Sequence, residues 1–379
     1  MDHDIRTLAC ELFLDSTSEL TRMKRLTFPH IATERHPLAV GNRVALSVKK
    51  GLYHPTKEDI DIARDILEVH TRLTSAYGAT GEWKWINRNR RSKYLSLLEK
   101  GDPKKLAYCL ANMFRNDAIY GIISSDFAKA RTKKGQFDLE NQILLDLDTL
   151  VEFDEHEHRS LAWSVQDWHC GNPYGYLTRK NTLIVVDTAR HIYYANKINA
   201  LLNNATTHRP TIFEVGGGYG GLCLELLNLS DLKGLRYINC DLPETLYLCY
   251  FFLKKMLPSS VRIGWATEKM PNADIILVPA HKKDLVTHAD IMFNTLSLSE
   301  MGRKTVDEYI GILHKIKPRY FLHTNSNFVL FPDSERHVEV TASEFGIKDS
   351  VYKRIYMALS PWQGGGGRSR EYLYIRRDK

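Results

Sequence analysis

Two hydrophobic periods divide the chain. Through roughly the first 165 residues the apolar positions recur every three or four. The clearest case is HPTKEDIDIARDILEVHTRLTSAYG, where Ile62, Ile66, Val69 and Leu73 share one face of a predicted helix. Thr56 stands at its N-cap, Glu58, Asp59 and Asp61 fall in its first turn, and Gly78 occupies a C-cap position. SKYLSLLEKGDPKKLAYCLANMF predicts two helices broken at Gly101-Asp102-Pro103. FDLENQILLDLDTLVEF continues the helical pattern. Around Trp168 the texture changes to an aromatic Gly/Pro loop, WHCGNPYGYLT, then a short strand candidate, TLIVV, and a helix, DTARHIYYANKINALLNNA.

From Thr211 onward short apolar runs alternate with helical segments. TIFEV, LRYINC, ADIILVP, ADIMFNTL and RYFLHTN read as strands; LCLELLNL, LPETLYLCYFFLKKM and RKTVDEYIGILHKI read as helices. Such alternation predicts a mostly parallel, doubly wound α/β sheet. The last two runs, SVYKRIYMALSPW and REYLYIRR, flank Gly364–Gly367 and fit an antiparallel terminal hairpin with a flexible turn. The expected organisation is a mostly helical region over residues 1–165, for substrate recognition or oligomerisation, and an α/β domain over residues 166–379. No internal repeat is evident.

Composition adds limits. Of 379 residues 43% are hydrophobic and 26% charged, an ordinary globular balance. The net charge of +7 is dispersed, apart from Arg88–Lys93 and Lys129–Lys134, and no interleaving of basic and aromatic residues points to nucleic acid. The six cysteines form no CxxC pair and sit in apolar runs, as small core residues of a reducing compartment do. The N-terminus lacks the basic start and apolar stretch of a secretory signal, and LYLCYFFL (Leu246 to Leu253) is too short to span a membrane. A cytoplasmic protein without a transmembrane segment is expected.

The chemistry concentrates in TIFEVGGGYGGLCLELL, where five glycines crowd six positions between a strand and a helix. A turn at the end of the first strand of a doubly wound sheet faces a ligand. Gly216, Gly218 and Gly221 satisfy GxGxxG, the dinucleotide fingerprint; Gly216, Gly218 and Gly220 satisfy GxGxG, the turn of S-adenosylmethionine enzymes. Glu214, two positions earlier, suits a ligand carrying an ammonium group and is awkward beside a pyrophosphate. Asp241 ends the next strand, where a carboxylate can accept both ribose hydroxyls of either ligand.

Glu214 to Gly221 resembles the first motif of class I S-adenosylmethionine-dependent methyltransferases. More narrowly, GNPYGY (Gly171 to Tyr176), EVGGGYGGL, DLPETLYL (Asp241 to Leu248) and NTLSLSEMG (Asn294 to Gly302) make the chain similar to bacterial sugar O-methyltransferases. The resemblance implies a Rossmann-like class I methyltransferase sheet whose usual ending is an antiparallel hairpin. It also implies S-adenosylmethionine as cofactor and a sugar or polysaccharide hydroxyl, of a surface polysaccharide or glycosylated metabolite, as acceptor. Glu214, Gly216, Gly217, Gly218, Gly220 and Asp241 would hold the cofactor. Leu242 would supply a wall behind the ribose and His281 a contact near the adenine. Arg190 would clamp the carboxylate, with a surface ion pair as the alternative. Asn294 would line the mouth, and Asn172 would sit on a closing loop or in a tight structural one. Glu300 and His323, after the fourth strand and at the end of the fifth, are the two candidates for the base that takes the acceptor's proton.

Two alternatives stay open at this stage: a nicotinamide-dependent oxidoreductase using the GxGxxG register and a catalytically silent scaffold of the same fold; a homo-oligomer is compatible with each. Asp154, His156 and His158 in FDEHEHRS alternate as metal ligands can, but the segment reads as a solvated one and no metal is expected.

Overall fold

The computed structural model describes residues 51–73, 79–80, 82–123, 139, 142–143, 145–147, 149–150, 170–177, 183–203, 209–229, 234–327, 340–362 and 369–377. The readings at Cys10, Gly78, Lys129–Lys134, FDEHEHRS and Gly364–Gly367 lie outside them. The helical region opens with α1 (Lys57–Leu73), followed by α2 (Glu82–Asn89), α3 (Ser92–Lys100) and α4 (Pro103–Ala111). Thr56 caps α1 reciprocally. Its N–H donates to Asp59 Oδ2 at 2.7 Å, and the Asp59 N–H donates to Thr56 Oγ1 at 3.2 Å. Gly101 closes α3 in the left-handed region at φ 65°, and the Asp102 carboxylate accepts the amides of Lys104 and Lys105 to start α4. Leu139, Ile143, Leu147 and Leu150 are buried, at the spacing of one helix face.

A small antiparallel ribbon, β1 (Gly175–Leu177) with β2 (Leu183–Val185), precedes α5 (Thr188–Asn203). The sequence presents β1 as part of a loop, because three residues are too few for alternation to show. Then come β3 (Thr211–Val215), α6 (Gly221–Leu229), β4 (Arg236–Asp241), α7 (Pro243–Met256), β5 (Ile263–Trp265), β6 (Ile275–Pro279), β7 (Ile291–Thr295), α8 (Arg303–Ile316), β8 (Tyr320–Ser326), β9 (Tyr352–Leu359) and β10 (Ser369–Arg376). The main sheet runs in the order β5-β6-β4-β3-β7-β8-β10-β9. The strands from β5 through β8 in that order are parallel, and β10 is antiparallel to both β8 and β9. The expected doubly wound sheet and terminal hairpin are therefore both present. The edge strand β5 has no counterpart in the sequence reading; it is three residues long and only half-buried.

Strands covered on both faces are hydrophobic throughout, and β3 is buried at all five positions. Ile212 faces a core shared with α1, α3, α4 and α5–α7, whereas Phe213 and Val215 face a second core under α8. The first core is continuous from Ile62 and Leu110 of the helical region to Leu277 and Leu322 of the sheet. The helical region thus packs on the face of the sheet that also carries Glu214. Among the described residues no helix is long and apolar enough to cross a membrane.

Candidate active site

A cavity of about 240 Å³ opens at the C-terminal ends of β3, β4 and β7. Its floor is the glycine turn, and the turn is held from behind. Gly216 has φ 72°, and a Cβ there would collide with the Ser297 side chain. A Cβ on Gly217 would collide with the Glu214 carboxyl and with Asn239. Gly216 and Gly217 therefore make room for the protein's own polar side chains. The turn's amides are also engaged internally. Gly216 N–H donates to Cys240 O at 2.8 Å, Gly217 N–H to Asn239 Oδ1 at 3.2 Å, Gly218 N–H to Asp241 Oδ2 at 2.8 Å and Gly220 N–H to Gly217 O at 3.1 Å.

Behind the floor runs a buried polar chain. Asn294 Nδ2 donates to Val215 O at 2.8 Å, and Ser297 Oγ donates to the same carbonyl at 3.1 Å. Asn325 Nδ2 donates to Asn294 Oδ1 at 2.7 Å, while Asn325 Oδ1 accepts the Ser299 amide at 3.1 Å. This chain ties the 3-10 turn Ser297–Glu300 to the ends of β3 and β8. Leu296, also on the cavity wall, has φ 65°, and its N–H donates to Thr324 O at 2.6 Å. A branched side chain in that region stores about 1–3 kcal/mol of strain, which the surrounding bonds offset.

Three carboxyls converge on the cavity: Glu214, Asp241 and Glu300. Burial pushes Glu214 up to about 7, against the hydroxyl of Tyr237 that donates to it. Burial pushes Asp241 up to about 6, against the amides of Gly218 and Leu242. Burial, aided by Glu82, raises Glu300 to about 8. In each case desolvation penalises the charged form. Arg190 also lines the cavity, but it is paired with Asp187 at 3.2 Å.

The roof comes from the helical region: Thr80, Trp83 at the start of α2, and Gly121, Ile122 and Ile123. Trp83 Nε1 donates to Glu300 Oε2 at 3.1 Å, and the hydroxyls of Thr80 and Thr305 lie 3.1 Å apart. Asn87 donates to Glu244 at 2.5 Å. Behind α2, the fully buried Arg91 donates to Ala118 O, Thr245 Oγ1 and Glu244 O, with its guanidinium over the rings of Trp83 and Tyr94.

Of the residues singled out in the sequence, Glu214, Gly216, Gly217, Gly218, Asp241, Leu242, Arg190 and Glu300 line this cavity. Gly220, Asn294, His281, Asn172 and His323 do not. Gly220 faces the Cys249 and Leu253 side chains. Asn294 lies behind the floor in the polar chain. His281 sits in the 3-10 turn Ala280–Leu285, of which only Ala280 reaches the cavity. Asn172 is buried against the helical region, donating to Asn112 Oδ1 at 2.8 Å. His323 is fully buried in a stack with Phe321, Tyr372 and Tyr374, and its Nδ1 faces Asn325 Nδ2 at 3.2 Å. Burial lowers it to about 3, so the ring is neutral and its Nδ1 accepts from Asn325. The reason is register: Asn294 pairs with His323, and Thr295 with Thr324. The pair Asn294/His323 faces the second core, while Thr295 faces the cavity.

No protein-family model matches the chain, and no curated protein matches it. Solved structures do match. The small RNA methyltransferase HEN1 is 16% identical over half of this chain and a quarter of that one, with a TM-score of 0.36. Magnesium protoporphyrin IX methyltransferase from Synechocystis PCC 6803, with bound SAH, is 12% identical over 50% of this chain and 85% of that one, at 0.36. Mitomycin 7-O-methyltransferase is 14% identical over 84% of this chain and 94% of that one, at 0.33. Likeness of this depth carries neither a substrate nor a site over to this chain. Among the described residues no group of three His, Cys, Asp or Glu side chains could hold a metal ion.

Proposed function

We propose that the protein is an S-adenosylmethionine-dependent O-methyltransferase acting on a sugar hydroxyl. The observation that carries the cofactor is the convergence of Glu214, Asp241 and Glu300 on one buried cavity whose lining guanidinium, Arg190, is already paired. Such a site favours a cation. A pyrophosphate is disfavoured twice: two carboxyls flank the turn, and the amides of Gly216, Gly217, Gly218 and Gly220 are spent within the protein. S-adenosylmethionine would supply a methyl carbon on a sulfonium, already activated for displacement.

The chain's residues do the rest. Glu214 offers its carboxyl to an ammonium group, and Asp241 has lone pairs left for ribose hydroxyls. Leu242 and Ala280 supply apolar wall. Glu300 takes the acceptor proton, and a cation beside it would draw its carboxyl toward the ionised form. Alignment of the acceptor oxygen contributes roughly 7–11 kcal/mol, more than the base, so the walls matter more than base strength. In this reading residues 166–379 hold the cofactor and residues 1–165 recognise the acceptor. The presence of Trp83, Ile122 and Ile123 in the lining supports that division. The sugar itself rests on the resemblance of the NTLSLSEMG and GNPYGY segments.

Calorimetry with S-adenosylmethionine and NAD tests the cofactor. The first should bind and release protons, with affinity about tenfold higher at pH 8 than at pH 6 as the carboxyls ionise. Asp241→Ala should abolish binding. Glu300→Gln should keep binding and slow turnover about 10²–10⁴-fold, whereas His323→Phe should leave turnover unchanged. NAD binding without S-adenosylmethionine binding overturns the proposal. For the acceptor, mass spectrometry of the native host's glycans with and without the protein should differ by one methyl group.

A further inference from the structure

We propose that Trp83, carried by the helical region, is the positioning residue for Glu300, so that the acceptor side of the site is complete only with α2 seated. The inference rests on the reading of Glu300 as proton acceptor.

Its geometry is specific. The indole N–H meets one carboxyl oxygen of Glu300 at 3.1 Å, and both residues line the cavity. The indole donates and cannot accept, so it stabilises the carboxylate and fixes which oxygen remains for an acceptor hydroxyl. The ring is itself fixed. Arg91, without exposure, lies against it 5.6 Å from the centroid and is anchored to the Ala118 and Glu244 carbonyls. Gly121 packs on the indole edge, where a Cβ would come 3.5 Å from the ring. The other groups facing Glu300 are Glu82 on α2 and Asp241 at the end of β4, which oppose its ionisation, and Arg190 on α5, which favours it. Trp83 therefore works with Arg190 against burial and two like charges.

Infrared titration of the carboxyl band of Glu300 in the ligand-free full chain, assigned by its loss in Glu300→Gln, tests the role. Trp83→Phe keeps the ring and removes the donor. It should move the titration upward by about half to one pH unit. Asn87→Ala loosens the same helix at its Glu244 contact and should leave the titration in place. A Trp83→Phe titration coincident with the parent overturns the proposal, as does an equal shift in Asn87→Ala. Should Trp83→Phe fail to fold, ¹⁵N-indole resonances of the parent chain serve instead. One indole resonance of the parent chain should follow the Glu300 titration and become pH-independent in Glu300→Gln; indole resonances all indifferent to that titration overturn the proposal. Normal host glycan methylation by Glu300→Gln would refute the base reading alone, because the titration reports the Trp83–Glu300 coupling whatever its use.

Discussion

The floor and the roof of the cavity are built differently. The floor is a glycine turn whose amides, flanking carboxyls and rear polar chain are bonded to one another, with Asn239, Asn294, Ser297 and Asn325 each bridging separate elements. At the cavity edge the roof is joined to the sheet domain by separate side-chain bonds, Thr80–Thr305 and Trp83–Glu300, while behind α2 Asn87, Arg91 and Tyr94 meet Glu244 and Thr245. A wall made of shared backbone and network bonds tolerates little change, because each loss orphans another buried group. A wall held by separate bonds loses only about 0.5–1.5 kcal/mol per bond. The glycine-turn wall and the helical wall of the cavity are thus held by hydrogen bonds of unequal interdependence.

Gly216→Ala should break the floor. The new methyl meets Ser297 at a position of φ 72°, and a loss of about 3 kcal/mol or more in denaturant unfolding is expected, together with loss of S-adenosylmethionine binding. A loss under about 1 kcal/mol would erase the contrast between the walls.

The helix leaving the floor gives a pH-dependent test. Glu225 on α6 is fully buried with neither carboxyl oxygen bonded among the described residues, and burial pushes it up to about 8. Its folded value lies above its unfolded one, so the fold binds the extra proton. Stability is whole below the unfolded value and declines as pH rises toward 8. Glu225→Gln should match the parent near pH 4.5 and exceed it by about 2–4 kcal/mol at pH 8, as read from denaturant midpoints. Parallel pH profiles for the two proteins would show the carboxyl to be solvated.

The smallest effect belongs to the roof. Thr80→Val removes one hydroxyl pair and should cost about 0.5–1 kcal/mol in the same unfolding measurement. A cost equal to that of Gly216→Ala would mean that the roof is as tightly coupled as the floor.

The sequence made the sheet legible because strand and helix periods, and the punctuation at Gly101-Asp102-Pro103, are local properties. It located Glu214, Asp241 and Glu300 for the same reason: each sits at a fixed offset from a strand end. His323 and Asn294 lie outside the cavity although both sit near strand ends, because position along a strand tells nothing about which face a side chain takes. One residue of register sends Thr295 to the cavity and Asn294 behind it. Trp83 carried no signal beyond being a tryptophan in a polar helix.

What the sequence by itself determined is the doubly wound sheet, its terminal hairpin and the acids around the glycine turn, since these follow from periodicity and short-range spacing. Only the tertiary structure decided that α2 covers those acids, that Trp83 meets Glu300 across 217 positions of chain, and that His323 lies among aromatic rings. Those outcomes depend on packing between distant elements and on sheet register, which no local stretch encodes.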